Sequence, residues 1–510
     1  MSEESLTHKT LKNSVYGFIG FVWPMLLSIL ITPILISNLG VQNFGLFLFI
    51  NTVSGFVGII IGGANISFVR QLVKYKDAED KENLSRLIGT MHSIFLTLAI
   101  SGFIIILGGF LIGSKTFPIS EGFSFQQLLL FFGLVAINFF INAVTITYQM
   151  IPSALQRFDI TTKISFTVMT ISNLVSLVLV INGFGILYLF ILQVLITIIT
   201  GIVFYRISTK LIPESYYSLK LYKDELMTFI NLVSANFINE IARTSLISLD
   251  RILIPIFSGS ISQLTYYSVP GNLAARVPGT ADNLSGILFP TSTSLYISGK
   301  TDALKNLYMR STRLIMLLSL AISFGMILNA EKIMRYWLDE SFAKNSTNIL
   351  IILIVTNLIF SLLSPIASFL MGINKMKFNT LISVSMAFLN IIALIVLLPK
   401  FGITGAAWAY LISVLPIFFA MYFIEKRYLL LQGRIKYYVY FLIKTVVTTL
   451  ISGTIVLFIF RDIITNFLTL AIFGPLSVIL YLSVFIALGF LEKEDYNDIK
   501  NFVFLKLKIK

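Results

Sequence analysis

Between Leu87 and Ile112 the chain reads LIGTMHSIFLTLAISGFIIILGGFLI, a stretch without aspartate, glutamate, lysine or arginine. The hydrocarbon core of a membrane requires about 20 apolar residues in helical form, and this stretch exceeds that length. In lipid, a helix satisfies all the backbone hydrogen bonds of a single segment. The stretch is therefore predicted to cross a membrane as one α-helix.

Thirteen further stretches of this kind predict an all-α integral membrane protein with about 14 transmembrane helices. Hydrophobic residues make up 56% of the 510 residues and charged residues 12%. Soluble chains carry about 25% charged residues, so a soluble protein is excluded. The predicted spans are approximately 13–37, 46–68, 87–112, 126–150, 164–182, 186–205, 226–249, 262–290, 312–330, 347–371, 380–399, 403–425, 437–460 and 466–491.

The chain contains no cysteine and two histidines, His8 and His92. Disulfides and thiolate metal sites are thereby excluded, and a histidine-built metal centre is not expected. The loops are too short to hold a soluble catalytic domain, so the chain is interpreted as a transporter and not an enzyme. No cofactor is expected beyond coupling to H⁺ or Na⁺.

Basic residues are distributed unevenly between the two sides of the predicted membrane. Twenty-eight of the 38 lie on the side that also holds both termini, and six lie on the other side. The basic side of a membrane protein is cytoplasmic, so both termini are predicted to be inside the cell. This topology accounts for most of the net charge of +14 without a nucleic-acid partner.

The chain shows an internal repeat of about 218 residues. Phe184–Ile186 recurs as Phe401–Ile403, 217 positions later, and Asn173 corresponds to Asn390 at the same offset. Because each half holds an even number of spans, the repeat is parallel, which is typical of transporters. A duplicated structural protein is the alternative. The predicted domains are a six-helix bundle over 1–218, a second over 219–430, and two additional helices with a tail over 431–510.

Polar side chains inside predicted spans mark a candidate cavity, because ionisable groups in a bilayer face a bundle interior. Helices seven and eight contain most of them, and Pro-Gly pairs at 270–271 and 278–279 are predicted to interrupt helix eight twice. Arginine suits phosphate recognition, which indicates an anionic substrate; a purely structural role is the alternative, and is favoured for Arg251 and Lys444. The predicted substrate-binding residues are Asn236, Asn239, Glu240, Arg243, Asn272, Arg276 and Asn283. The predicted ion-coupling residues are Glu240, Asp250 and Asp282.

The longest connection on the predicted outer side, after helix nine, contains a short apolar pattern. Ile333, Met334, Trp337, Leu338 and Phe342 share one helical face. Such a face is typical of a helix lying in the membrane interface. An ordinary structured loop is the alternative.

Ile36–Leu46, which reads ISNLGVQNFGL, connects predicted helices one and two. It resembles the turn at this place in the polysaccharide flippases of the multidrug/oligosaccharidyl-lipid/polysaccharide exporter superfamily. Ala154–Phe158 resembles its loop between helices four and five, and the plan of six, six and two helices matches nearly the whole chain. Further similarity lies at Asp250-Arg251, Tyr266-Tyr267-Ser268 and Phe289-Pro290.

The resemblance implies a MATE-like fold and the transfer of polyprenyl-diphosphate-linked oligosaccharide from the inner to the outer leaflet by alternating access. It implies partners among membrane lipids and polysaccharide assembly proteins, a monomeric protein, and the cytoplasmic membrane as its location. Some flippases of lipid-linked precursors in this superfamily carry basic residues in helix one, and this helix one has none. This difference favours O-antigen, capsule or another surface glycan as the substrate over a peptidoglycan precursor.

Two other functions compete with this interpretation. A drug or metabolite antiporter could use the same fold, although cationic drugs should prefer a more acidic cavity. A membrane-embedded glycosyltransferase, polymerase or ligase would normally need a sizeable outer loop or a clustered acid/base site. The short loops and the repeat favour transport.

Overall fold

The computed structural model describes residues 23–114, 122–213, 218–431, 434–460 and 462–490. Within its helices, only the backbone is described at residues 60, 62–67, 70, 228–236, 280, 283, 284, 286, 287, 434 and 435.

All regular elements in the described ranges are helices. In chain order they are α1 (Trp23–Leu39), α2 (Val41–Val57), α3 (Ile59–Asp77), α4 (Lys81–Gly113), α5 (Phe125–Ala154), α6 (Phe158–Ile181), α7 (Ile186–Leu211), α8 (Lys223–Ser258), α9 (Ile261–Ala274), α10 (Arg276–Ile297), α11 (Thr301–Leu328), α12 (Ala330–Ile333), a π-helix (Met334–Leu338), α13 (Glu340–Ser361), α14 (Leu363–Gly372), α15 (Met376–Ser413), α16 (Pro416–Arg427), α17 (Arg434–Ile459) and α18 (Phe467–Ala487).

Nine helical stretches of the described chain are long and apolar enough to cross a membrane. The pair α1 and α2, bent by 119° at Gly40, raises the number to ten if it forms one span. The chain is therefore a multi-pass, all-α membrane protein, as predicted, whereas the number of fourteen spans is not confirmed. The predicted spans 226–249 and 262–290 correspond to α8 to α10, which are not among the counted stretches; α9 alone has only 14 residues.

One counted stretch, Met376–Arg427, is 52 residues long and contains two of the predicted spans. Gly402 interrupts it with φ 58° and ψ −143°, a conformation that side chains with a Cβ rarely adopt. The predicted spans 380–399 and 403–425 therefore meet at this glycine, without a longer loop between them.

The break in predicted helix eight differs from the expectation. There is one break, at Ala275 between α9 and α10, and not two interruptions at the Pro-Gly pairs. A proline ring clashes with the carbonyl four residues earlier, which for Pro278 is that of Ala274, the last residue of α9. Pro278 itself lies in the first turn of α10, where proline is tolerated.

Several other prolines lie inside helices, and for two of them, Pro152 and Pro270, a serine on a neighbouring helix compensates. Pro152 removes the donor for the Tyr148 carbonyl in α5, and the Ser208 hydroxyl of α7 donates to that carbonyl at 2.6 Å. In α9, Pro270 leaves the Tyr266 carbonyl without its helical donor. The Ser346 hydroxyl of α13 donates to it at 2.8 Å.

By its internal contacts the chain forms two compact units. Unit 1 comprises Met1–Thr265 with Leu394–Ala406, and unit 2 comprises Tyr266–Ala393 with Ala407–Lys510. In unit 1, α5 packs against both α4 and α7, and α8 packs against α2 and α3. In unit 2, α10 packs against α11 and α14, and α11 also contacts α13 and α18. The duplication and its domain limits stay predictions.

The short apolar pattern after α11 runs through α12 and the π-helix into the first turn of α13, with extended backbone at Asp339 between them. Met334 and Trp337 are buried where the π-helix contacts α13 and α18, and Phe342 of α13 is also buried. On the exposed side, Arg335 pairs with Glu331 at 2.8 Å and with Glu340 at 2.9 Å. The five apolar residues therefore do not share one continuous helix, and Met334, Trp337 and Phe342 are packed within unit 2, whereas Ile333 and Leu338 are half-buried.

Candidate functional site

The predicted residues on α8 belong to unit 1. Asn239 and Glu240 are half-buried and Arg243 is exposed, whereas the neighbouring Ala242 and Leu246 are buried. Within the described chain, Glu240 and Arg243 form no ion pair, although they lie one helical turn apart. Their charged groups therefore do not neutralise each other in this structure. The side chain of Asn236 lies outside the described residues.

Asp250, a predicted ion-coupling residue, lies inside the protein near the end of α8. It is buried to 3% exposure, eight residues before the end of α8. One carboxylate oxygen accepts a hydrogen bond from the Arg251 backbone N–H at 2.8 Å. Since a buried carboxylate needs hydrogen bonds or a cation, Asp250 has the surroundings of a structural group.

The predicted residues on α9 and α10 belong to unit 2. Asn272 is exposed near the end of α9, and Arg276 is half-buried as the first residue of α10. Arg276 follows the C-terminus of α9, whose dipole favours a cation. Asp282 is exposed and accepts a hydrogen bond from the Ser364 hydroxyl of α14. The side chain of Asn283 lies outside the described residues.

The prediction missed a polar stripe along α5. Asn138, Asn142, Thr145 and Gln149 recur at intervals of four, three and four residues, which places them on one helical face. The Gln149 amide donates to the Asn142 carbonyl oxygen at 3.3 Å and to the Thr145 hydroxyl at 3.4 Å. We call these four residues the α5 stripe.

The α5 stripe is partly exposed, and it includes a buried amide oxygen without a hydrogen-bond partner in the described chain. Asn142 is exposed, and the side-chain oxygen of Asn138 is buried without a hydrogen-bond partner in the described chain. On α7, which packs against α5, the Gln193 carbonyl oxygen is in the same situation. Amides both donate and accept, so this surface suits the hydroxyl groups of sugars. Its signal in the sequence is a polar period inside an apolar span.

The start of α8 is fixed by contacts between α3 and α8. The Tyr75 hydroxyl donates to the Glu225 carboxylate at 2.8 Å, and Glu225 is buried. Burial, followed by this hydrogen bond, raises the pKa of Tyr75 to about 12. Tyr75 therefore stays protonated as a donor at physiological pH.

The segment before α8 is held by α4. The Thr90 hydroxyl accepts from the Tyr222 backbone N–H at 3.2 Å, and the His92 ring accepts from Ser218 N–H at 3.4 Å. The Arg86 guanidinium lies 4.6 Å from the centre of the Tyr222 ring, a cation–π contact. These contacts fix where α8 begins. Glu240 and Arg243 lie further along the same helix.

Lys444, for which a structural role was favoured, has three local contacts in unit 2. Its ammonium lies 4.4 Å from the Tyr440 ring and 5.5 Å from the Phe490 ring. It also donates to the Phe490 carbonyl at 3.4 Å.

Among the described residues no group of three or more histidine or acidic side chains could hold a metal ion.

Comparison with known proteins identifies related chains. The profile of a family described as "Polysaccharide biosynthesis protein" matches residues 38–347, which is more than half of the chain. A Shigella flexneri protein described as "Putative O-antigen transporter" is 21% identical over 417 residues, covering 79% of this chain and 95% of that protein.

Solved structures share the fold. The "Lipid II flippase MurJ, inward closed conformation" has a TM-score of 0.64 at 15% identity, covering 94% of this chain and 99% of that chain. An inward-facing multidrug resistance MATE family transporter of the MOP superfamily has a TM-score of 0.60 at 13% identity, covering 81% and 98%. These likenesses confirm the MATE-like fold class.

Proposed function

The chain belongs to the polysaccharide biosynthesis protein family, and we propose that it moves a lipid-linked oligosaccharide across the membrane as a flippase of the MOP superfamily. The observation that carries this proposal is the family match over residues 38–347 on a fold shared with a lipid II flippase over 94% of the chain. The likeness to an O-antigen transporter supports a surface glycan as the cargo.

In this proposal the substrate is a polyprenyl-diphosphate-linked oligosaccharide, transferred from the inner to the outer leaflet by alternating access. Arg243 and Arg276 bind the diphosphate, because guanidinium groups match phosphate oxygens in pairs. Asn239, Asn272 and the α5 stripe receive the sugar hydroxyls. Asn236 and Asn283, whose side chains are not described, stay in the proposed binding set.

Ion coupling is assigned to Glu240, Asp250 and Asp282, with H⁺ or Na⁺ as the driving ion. Glu240 is half-buried without an ion-pair partner in the described chain, which leaves it able to exchange an ion. Asp282 is exposed and hydrogen-bonded to Ser364. Asp250 is the weakest of the three, because it is buried and already accepts a backbone hydrogen bond.

The protein works as a monomer in the cytoplasmic membrane, with both termini inside and with polysaccharide assembly proteins as partners. The transporter relatives and short loops support transport in preference to enzymatic catalysis.

A deletion strain tests the function directly. Polyprenyl-linked oligosaccharides are quantified in each leaflet, with a strain restored by the intact gene as the control. Accumulation in the cytoplasmic leaflet, reversed by restoration, is expected. Normal amounts and sidedness, in a strain without a redundant transporter, would contradict the proposal.

The fold shared with a MATE family transporter supports one alternative, an ion-coupled drug or metabolite antiporter. The normal outcome of the deletion experiment would favour it. Its own test is ion-dependent efflux of small cations by the purified protein in proteoliposomes.

A further inference from the structure

Unit 1 contains an apolar cavity of about 220 Å³ that the proposed substrate path does not use. It lies among α2, α4 and α5, and Ile252 of α8 closes one side. Phe49, Ile106 and Phe132 are among its lining residues, and all three are buried. Of the residues that line it, Ser114 alone has a polar side chain.

The cavity has no stable place for water. A buried water molecule needs two to four polar partners. The Ser114 hydroxyl donates to the Leu111 carbonyl at 3.0 Å within its own turn, and no other lining side chain is polar. Apolar cavities of about 150 Å³ stay dry and accept small hydrocarbons, and this cavity is larger.

Its walls are packed against neighbouring side chains. The Phe110 ring stacks on Phe132 with centroids 4.7 Å apart, and on Phe125 at 5.5 Å. Phe49 and Ile106 are each about 1% exposed, so their side chains are fixed by surrounding contacts. The space therefore does not close by a simple collapse of its lining.

The cavity reaches an apolar outer surface of unit 1. Ile105 lines the cavity and is 49% exposed, and Gly109, one turn later, is also exposed. Ile104 and Ile112, on the same membrane-spanning helix, are 61% and 82% exposed. Side chains of this kind on a membrane-spanning helix face lipid, so the material that meets the opening is hydrocarbon.

We propose that this cavity binds the end of a hydrocarbon chain of a membrane lipid. Acyl chains of phospholipids and isoprenoid chains both end in such a hydrocarbon group. The cross-linking experiment described below distinguishes these two sources. The inference stands on the cavity itself and does not rest on the proposed flippase function.

Two glycines provide a matched pair of variants. A Cβ added at Gly109 or at Gly108 has nothing within 4 Å, so both positions accept a larger side chain. Gly109 lines the cavity and Gly108 does not. Gly109→Leu should occupy part of the space, because Gly109 lines the cavity. Gly108→Leu is the control, and both variants gain similar helix propensity. Val53→Phe fills the cavity from α2 as an independent variant.

The experiment uses the full chain in lipid nanodiscs. One preparation contains phosphatidylcholine with a photoactivatable diazirine at the end of its acyl chain, and another contains a polyprenyl phosphate with a terminal diazirine. Cross-linked residues are mapped by mass spectrometry. Labelling of the cavity residues by either probe is expected, and the probe that labels identifies the source of the chain.

Gly109→Leu and Val53→Phe should lower this labelling about tenfold, the change expected when about two buried methylene groups are excluded. Gly108→Leu should leave it unchanged. The proposal is overturned if neither probe labels the cavity of the unmodified chain. It is equally overturned if labelling persists in the filling variants, whose folding is checked by their thermal unfolding against Gly108→Leu.

Discussion

At the scale of single residues, the two arginines of the proposed substrate site differ in surroundings but share one chemistry. Arg243 is exposed on α8, and Arg276 is half-buried at the start of α10. Neither is neutralised by an ion pair within the described chain. A guanidinium without a carboxylate partner is available for a phosphate.

Arg243→Ala and Arg276→Ala should impair glycan export without preventing membrane insertion. We expect a decrease of about 10- to 100-fold, because hydrogen bonds to charged groups contribute about 1.5–3 kcal/mol. Export is measured in a deletion strain that expresses each variant at equal level. Arg157→Ala is the control, since Arg157 already pairs with Asp159 at 2.9 Å on the surface. Normal export by a well-expressed double variant would remove the phosphate-binding hypothesis.

Glu240→Gln should change the ion dependence of transport, because the neutral amide of the variant could not exchange a proton or balance a sodium ion. The response of export to collapse of the proton or sodium gradient is compared with that of the unmodified protein. Asp302→Asn, on the exposed start of α11, is the matched control. An unchanged response in Glu240→Gln would count against a coupling role.

The hydrogen bond of Tyr75 predicts how the stability of the folded state depends on pH. Its pKa is raised from 10.0 to about 12, so the protonated hydroxyl stabilises the folded state fully below pH 10. That stabilisation should be lost as the pH rises from 10 to 12. Tyr75→Phe should lower the thermal unfolding midpoint at pH 8 and flatten its decline above pH 10. The exposed Tyr296 supplies the control variant Tyr296→Phe, whose profile should follow the unmodified protein.

At the scale of elements, the prolines explain why certain helices need specific neighbours. A proline inside a helix frees the carbonyl four residues earlier, and in an apolar surrounding that carbonyl needs another donor. Ser208 of α7 serves α5, and Ser346 of α13 serves α9. These serines therefore link helices within one unit.

Ser208→Ala should destabilise the protein by about 1–3 kcal/mol, because it leaves the buried Tyr148 carbonyl without a donor. Thr209→Ala is a close control, since the Thr209 hydroxyl bonds to the Tyr205 carbonyl of its own helix. Unfolding is followed in detergent by denaturant titration. In a Pro152→Ala background the restored N–H can serve Tyr148, so Ser208→Ala should then have a smaller effect. An equal effect in both backgrounds would show that the proline does not create the need for Ser208.

At the scale of the whole molecule, the orientation in the membrane can be measured with single introduced cysteines. No native cysteine has to be removed first, because the chain has none. Glu79→Cys lies in a predicted cytoplasmic turn, and Asp462→Cys in a predicted outer connection; both positions are exposed. A membrane-impermeant maleimide should label position 462 in intact spheroplasts and position 79 only after lysis. The reverse pattern would contradict the predicted orientation, and the cysteine-free chain is the control.

The sequence by itself determined the membrane class, the all-α fold and the family resemblance. These properties follow from the length and apolar character of segments such as Leu87–Ile112, which act over 20 or more residues and tolerate local exceptions. The polar residues on α8 to α10 were also found in this way, because an ionisable group in an apolar span is conspicuous.

Only the tertiary structure decided the burial and the partners of individual side chains. It placed Asp250 inside unit 1, gave Tyr148 and Tyr266 their serine donors, and located the single helix break before Pro278. The cavity beside Phe110 likewise depends on residues from four helices, α2, α4, α5 and α8. Such features arise from packing between helices, and the periodicity of one segment carries no information on which residue of another segment faces it.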